Sequence, residues 1–181
     1  PVIVALGNHD AGSAYVSGEH IYTLGSAVET IEVETRNGER VAFSGFSYEV
    51  PVVATRKVQE YPAKSANCDI HIGVLHGELT TAQGRYAPFS IPELREKGYD
   101  YWALGHIHTC HEVSSQPCAW YSGTTQGADR KESGPKGALL VEILPGKAPE
   151  VRFIETSTMD WTEVELAISE TARLETLPYL I

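Results

Sequence analysis

Eight residues, Tyr101-Trp102-Ala103-Leu104-Gly105-His106-Ile107-His108, constrain this chain more than any other stretch. A short run of large apolar side chains reads as a strand covered on both faces, the kind found inside layered α/β domains. Gly105 allows the backbone to leave the strand sharply, since it has no Cβ to clash. Two histidines follow. Side chains two apart in extended backbone lie on the same side. His106 and His108 are therefore expected to aim at one spot, with Ile107 turned away into the core. Neutral imidazole is the commonest metal ligand among side chains. A bare His-x-His is better explained by local hydrogen bonds at a strand end. What favours the metal reading is that two other stretches repeat the design.

Val2 to Leu6 is the first, an apolar run read as an interior strand that empties into Gly7-Asn8-His9-Asp10. Asn8 can offer a carbonyl oxygen to a metal, His9 can act as acid or base, and Asp10 can orient and charge-stabilise His9. An ordinary Gly-Asn turn with an N-cap Asp explains the same tetrapeptide. Cys68 to Leu75 is the second, and it empties into His76-Gly77-Glu78. His71, inside that strand, reads as a packed histidine. His76, at its end, is a candidate ligand or a loop histidine. Cys110-His111 beside His106 and His108 invites a zinc site, but four ligands in six residues wrap one tetrahedral ion poorly, and no matching Cys-x-x-Cys exists.

Strands that end at one edge of a sheet bring their loops together, and ligands bind there. The metal-capable set is then Asn8, His76, His106 and His108, with His9 and Asp10 as the acid-base pair. Two-metal phosphoesterase sites hold their ions about 3.5–4 Å apart. All four candidate ligands are neutral, so charge balance calls for carboxylates, at least one of them bridging. The chain supplies no convincing one besides Asp10, and the rest are expected upstream of Pro1. The start at Pro1 in a core-like strand and the apolar end, Leu177-Pro178-Tyr179-Leu180-Ile181, fit a fragment of a longer protein.

Elsewhere the pattern predicts a weak helix or loop over Ala11 to Leu24. It predicts a hairpin of Ala27 to Glu34 and Arg40 to Ser47 about Asn37-Gly38, and a strand end near the site at Gly45 to Tyr48. Val52 to Pro62 suggests a short surface helix. Ser90 and Glu93 have capping-box spacing, with Gly98 closing the helix they open. Trp120 to Gly123 ends another strand. Thr124 to Pro135 is a polar loop in which Arg130 and Lys131 form the local basic patch, either meeting phosphate or simply solvated. Gly137 to Leu144 and Val151 to Thr156 are strands about Pro145-Gly146, and Trp161 to Ile168 alternates like another.

At 181 residues the chain can bury a core of its own. A net charge of −10 disfavours nucleic-acid binding through a basic surface, though bound cations would invert the field locally. Three cysteines make no disulfide framework and suggest a reducing compartment, hence the cytoplasm. No run is long and apolar enough to span a membrane, and no signal-peptide pattern is present.

Gly7-Asn8-His9-Asp10, the lone His76, and Gly105-His106-Ile107-His108, in that order, resemble the calcineurin-like metallophosphoesterases. Lys97 to His106, Tyr121 to Gly127 and Glu132-Ser133-Gly134-Pro135-Lys136-Gly137 are similar to the bacterial DNA-repair exonucleases of the SbcD type. The likeness runs from Pro1 to about Trp161. It implies a four-layer α/β/β/α sandwich, truncated at its N-terminus. Residues 1–160 would be the C-terminal part of the catalytic domain and residues 161–181 the start of a following segment or cap. It implies two divalent ions, Mn2+ foremost, with Mg2+, Fe2+ or Zn2+ as alternatives. Asn8, His76 and His106 would hold the second metal and His108 the first, while His9, paired with Asp10, would act near the leaving group. DNA and an SbcC-type ATPase are the implied partners, and a homodimer is compatible with the reading. Two departures stand out. The family's opening D-x-H and G-D motifs are absent. Ala128-Asp129 also stands where relatives carry Arg-His, leaving Arg130 as a substitute phosphate contact.

Three functions compete: a metal-dependent nuclease, a phosphodiesterase or phosphatase acting on a small nucleotide or phosphoprotein, and a non-catalytic scaffold of the same fold. Cleavage of linear DNA, blocked by EDTA, separates the first from the second. Metal independence of the full-length protein would mark the third, against which the intact Asn8, His9, His76, His106 and His108 argue.

Overall fold

The computed structural model describes residues 1–13, 18–163 and 165. Its centre is a six-stranded mixed sheet with one α-helix, a sheet-dominated α/β arrangement. The strands are β3 (Glu29–Glu34), β4 (Arg40–Gly45), β5 (Ile70–His76), β6 (Tyr101–Gly105), β7 (His111–Ser115) and β8 (Cys118–Tyr121), ordered β3-β4-β5-β6-β8-β7. The inner four, β4, β5, β6 and β8, are parallel, and the edge strands β3 and β7 pair antiparallel. The register sets His76 opposite Gly105, so the inner strands end along one edge. Two further pairs complete the described chain. β1 (Val2–Val4) runs parallel to β2 (Ile21–Thr23), and β9 (Gly137–Glu142) runs antiparallel to β10 (Glu150–Glu155).

β1 delivers its end to the same edge through backbone bonds. Tyr48, just past β4, donates its N–H to the Leu6 carbonyl at 2.9 Å, and Leu6 donates its own to the Ser47 hydroxyl at 3.0 Å. These bonds fix where Gly7-Asn8 emerges.

The core forms where apolar faces meet. Trp102, fully buried on β6, stacks on Tyr99 at 4.8 Å between ring centres and tilts against Tyr61 at 5.4 Å. Buried aromatic pairs of this kind contribute about 0.5–1.5 kcal/mol beyond the area they cover. The helix α1 (Ile91–Lys97) follows the capping-box spacing. The Glu93 carboxylate accepts the Ser90 backbone N–H at 2.9 Å, and Gly98 ends the helix at φ 72°, a conformation that penalises any residue with a Cβ. Arg56 pairs with the same carboxylate and, with Ser90, holds it down to a pKa of about 2.

Several sequence expectations need correction. The β1 strand is present, but Val2 is 54% exposed and, among the described residues, the strand pairs only with β2, so it is not interior here. Of Ala11 to Leu24, expected as a weak helix or loop, the described residues include the short strand β2, and residues 14–17 lie outside the described residues. Val52 to Pro62 forms a single 3-10 turn, Lys57–Glu60, anchored by the buried Val58. β7 was not expected, because His111-Glu112-Val113-Ser114-Ser115 is polar on both faces, as a solvated edge strand can be. The alternation over Trp161 to Ile168 reaches outside the described residues, and residues 161–163 form no strand.

Candidate metal centre

His76 is the hub. Its ring lies between two strand-end glycines. A Cβ on Gly7 would stand 2.4 Å from His76 Cε1, and one on Gly105 would stand 3.1 Å from Nδ1. Glycine is required at Gly7, since no real Cβ approaches so closely. The vacated space lets the Gly7-Asn8 turn close on the ring. Asn8, 7% exposed, places Oδ1 at 2.8 Å from His76 Nε2. His106 packs edge-on to His76 at 5.3 Å, Tyr48 approaches from another side at 5.5 Å, and Tyr86 lies against His106 at 4.9 Å.

Burial and neighbouring imidazoles keep these rings neutral. Loss of solvent is the main cause that lowers the His76 pKa to about 4, and His106, His108 and His9 add to it while Asp10 opposes. His106 is lowered by the same burial first, with Glu78 opposing and His108 and His9 assisting. His9, Asp10, His106 and His108 thus lie within electrostatic reach of His76, and Glu78, His108 and His9 within reach of His106. A neutral imidazole is the form that ligates a metal.

His106 sits at φ 107°, a region that side chains with a Cβ rarely enter. Such backbone costs about 1–3 kcal/mol and persists where its surroundings impose it. It also breaks the extension assumed for Gly105 to His108. Ile107 is consequently 38% exposed and not in the core, contrary to the alternation argument. His108 leaves the strand direction as well, and its Nδ1 pairs with Glu132.

Asp10 turns its carboxylate back on its own loop, accepting the Gly7 N–H at 3.0 Å. His9 is exposed, and among the described residues no hydrogen bond joins it to Asp10. Arg130 lines a separate surface recess of 530 Å3 with Lys131, Ser133, Thr162 and Glu163. The β8–β9 loop meets the histidine cluster through Glu132 instead. His71 is the packed histidine expected, 1% exposed, stacked on Tyr99 at 3.8 Å and bonded to the Ser44 hydroxyl at 2.8 Å.

Two participants, Glu78 and Glu132, were not singled out in the sequence, while Tyr48 closes the Gly45 to Tyr48 segment expected near the site. Glu78 follows His76-Gly77, and its carboxylate receives the backbone N–H groups of Arg85 and Tyr86, the latter at 2.9 Å. It thereby seats Tyr86 against His106. Its position two residues past a strand-end histidine was the one available signal.

The donor chemistry suits part of a cation site. Asn8 Oδ1 can only accept, so at 2.8 Å His76 Nε2 donates to it, and both atoms could serve as ligands once the imidazole proton moves to Nδ1. His106 is a third neutral donor beside them. Among the described residues, no group of three or more His, Cys, Asp or Glu side chains converges as a metal cage, so His76, His106 and His108 do not meet at one point as they stand.

Over 184 aligned positions the chain is 33% identical to a Bacillus subtilis (strain 168) protein described as "Uncharacterized metallophosphoesterase YhaO". The likeness supports the metallophosphoesterase family. The alignment takes in 97% of this chain and 45% of the relative, so the chain spans less than half of that protein's length. No family model matches the chain. Among the described residues, no helix is long and apolar enough to cross a membrane.

Proposed function

We propose that this chain contributes the Asn8-His9-Asp10, His76 and His106-Ile107-His108 side of a dinuclear metallophosphoesterase centre that hydrolyses phosphodiesters in DNA. The observation that carries this is the Asn8–His76–His106 cluster, three neutral donors gathered at one sheet edge with both imidazoles held unprotonated. The YhaO likeness supports metal-dependent phosphoester hydrolysis as the reaction class.

Asn8, His76 and His106 would hold one divalent ion and His108 the other, with Mn2+ the preferred metal. When bound, such ions activate water and offset the charge that develops on phosphoryl oxygens. The chain's own part is distinct. Glycines at positions 7 and 105 leave room for His76 to meet Asn8. Tyr48 packs against His76 and Tyr86 against His106, covering part of each imidazole. His9, which is exposed, would hand a proton to the departing oxygen, while Asp10 holds the turn that carries it. Carboxylates that balance the metal charge would come from outside this chain's 181 residues, completing a four-layer sandwich. An SbcC-type ATPase is the expected partner in handling DNA, in the cytoplasm.

The net charge of −10 favours a second substrate class, small nucleotides or phosphoproteins, which need no basic surface. The test is cleavage of linear duplex DNA by the full-length protein with Mn2+, against a small chromogenic phosphodiester. DNA cleavage abolished by EDTA supports the nuclease reading. Turnover of the small ester with intact DNA supports the second class, and inactivity on both with no metal bound would leave the scaffold.

A further inference from the structure

Glu132 lies in the β8–β9 loop with its side chain 15% exposed, against 57% for the His108 side chain it meets. Its two oxygens are separately engaged. Oε1 accepts from His108 Nδ1, and Oε2 accepts the Ala128 N–H at 2.7 Å. The backbone around it is pinned. Glu132 donates its own N–H to the Asp129 carbonyl at 3.0 Å, and the Asp129 carboxylate receives the Lys131 N–H at 2.7 Å. From the next turn of the loop, the buried Lys136 brings Nζ to 3.5 Å from the His108 carbonyl. The loop therefore holds His108 at both ring and backbone.

An ionised carboxylate can only accept hydrogen bonds, so His108 Nδ1 must carry the proton. A neutral ring then presents Nε2 as its bare nitrogen. We propose that Glu132 is the positioning residue for His108: it fixes the ring's direction and its tautomer, so that Nε2 is the nitrogen offered to a divalent cation. Only the identity of what Nε2 meets rests on the metal reading above. The tautomer claim stands on this chain's own contacts. Metal-bound histidines commonly carry a carboxylate or carbonyl on their second nitrogen, and loss of that partner weakens metal binding about 10–100-fold.

The test is nitrogen NMR of the His108 ring in the wild-type protein and in Glu132→Ala, Glu132→Gln and Glu132→Asp variants, followed by Zn2+ titration. Unchanged amide signals outside residues 106–136 serve as the folding control. The expected wild-type spectrum shows Nδ1 protonated and Nε2 bare. Glu132→Ala mixes the two tautomers, whereas Glu132→Asp retains most of the wild-type bias. Zn2+ moves the Nε2 signal of the wild type, and Glu132→Ala needs about 10–100-fold more Zn2+ for the same movement. Identical tautomer populations in wild type and Glu132→Ala would overturn the proposal. A wild-type Nε2 signal indifferent to Zn2+ would sink the metal reading instead, and the tautomer populations would still decide the role of Glu132.

Discussion

Asn8 Oδ1 lies 2.8 Å from His76 Nε2, although 68 residues separate the two in the chain. Neither residue could reach the other without the bonds that tie the end of β1 to the segment after β4. The pair marks the point where two separately paired groups of strands meet, and the candidate site is built on that seam.

Gly7 makes the seam possible. Gly7→Ala places a methyl group 2.4 Å from the His76 ring, so either the ring or the turn must move. The expected cost is about 1–3 kcal/mol, the usual range for overpacking a tight site. Urea denaturation of wild type and variant checks the stability, and the His76 ring resonances should shift together with it.

His106 stores backbone strain at φ 107°. His106→Gly relieves it and should raise stability by about 1 kcal/mol, allowing for the added freedom of glycine in the unfolded chain. The same change removes a candidate ligand. A variant that melts higher yet binds less metal would show that the strain is kept for the site. A variant that melts lower would show that the φ angle is not a cost.

Legibility in the sequence followed the range of the interactions. The Asn37-Gly38 hairpin and the Ser90-Glu93 cap were readable because each is set by residues within a few positions of one another. The strand ends at His76 and His106 were readable because a buried parallel strand is a continuous apolar run. Ile107 was misread because period-two alternation assumes extended backbone, and His106 breaks it. Glu132 was not readable as a partner of His108, since 24 residues and a change of direction separate them. β2 and β7 were missed because a strand of three residues and a polar edge strand carry no periodic signal.

His71 gives the fold a pH dependence independent of the site. Burial first, then Lys64, lowers its pKa to about 4 from an ordinary 6.5, with Asp100 opposing. Below pH 6.5 the unfolded chain takes up a proton that the folded chain refuses, so stability falls as pH drops from 6.5 to about 4 and then levels. At pH 4.5 this contributes a loss of about 2 kcal/mol relative to pH 7. His71→Gln should be less stable at pH 7, for want of the Tyr99 stack, but should lose about 2 kcal/mol less on acidification. Denaturation curves at pH 7 and 4.5 measure both terms, and equal losses in wild type and variant would refute the assignment.

His9 and the buried donors should separate in their effects. His9→Ala in the full-length protein should leave metal content intact and reduce turnover about 10²–10⁴-fold, the usual worth of a positioned proton donor. Unchanged turnover in this variant would remove His9 from the mechanism.

Asn8, His76 and His106 are proposed to hold a divalent cation. Elemental analysis of the full-length protein, after loading with Mn2+ and removal of excess, tests it most directly when wild type is compared with His76→Ala and His106→Ala. Mn2+ should be retained by the wild type and lost from this position in both variants, with the fold intact by circular dichroism. Equal stoichiometry in all three proteins would contradict it.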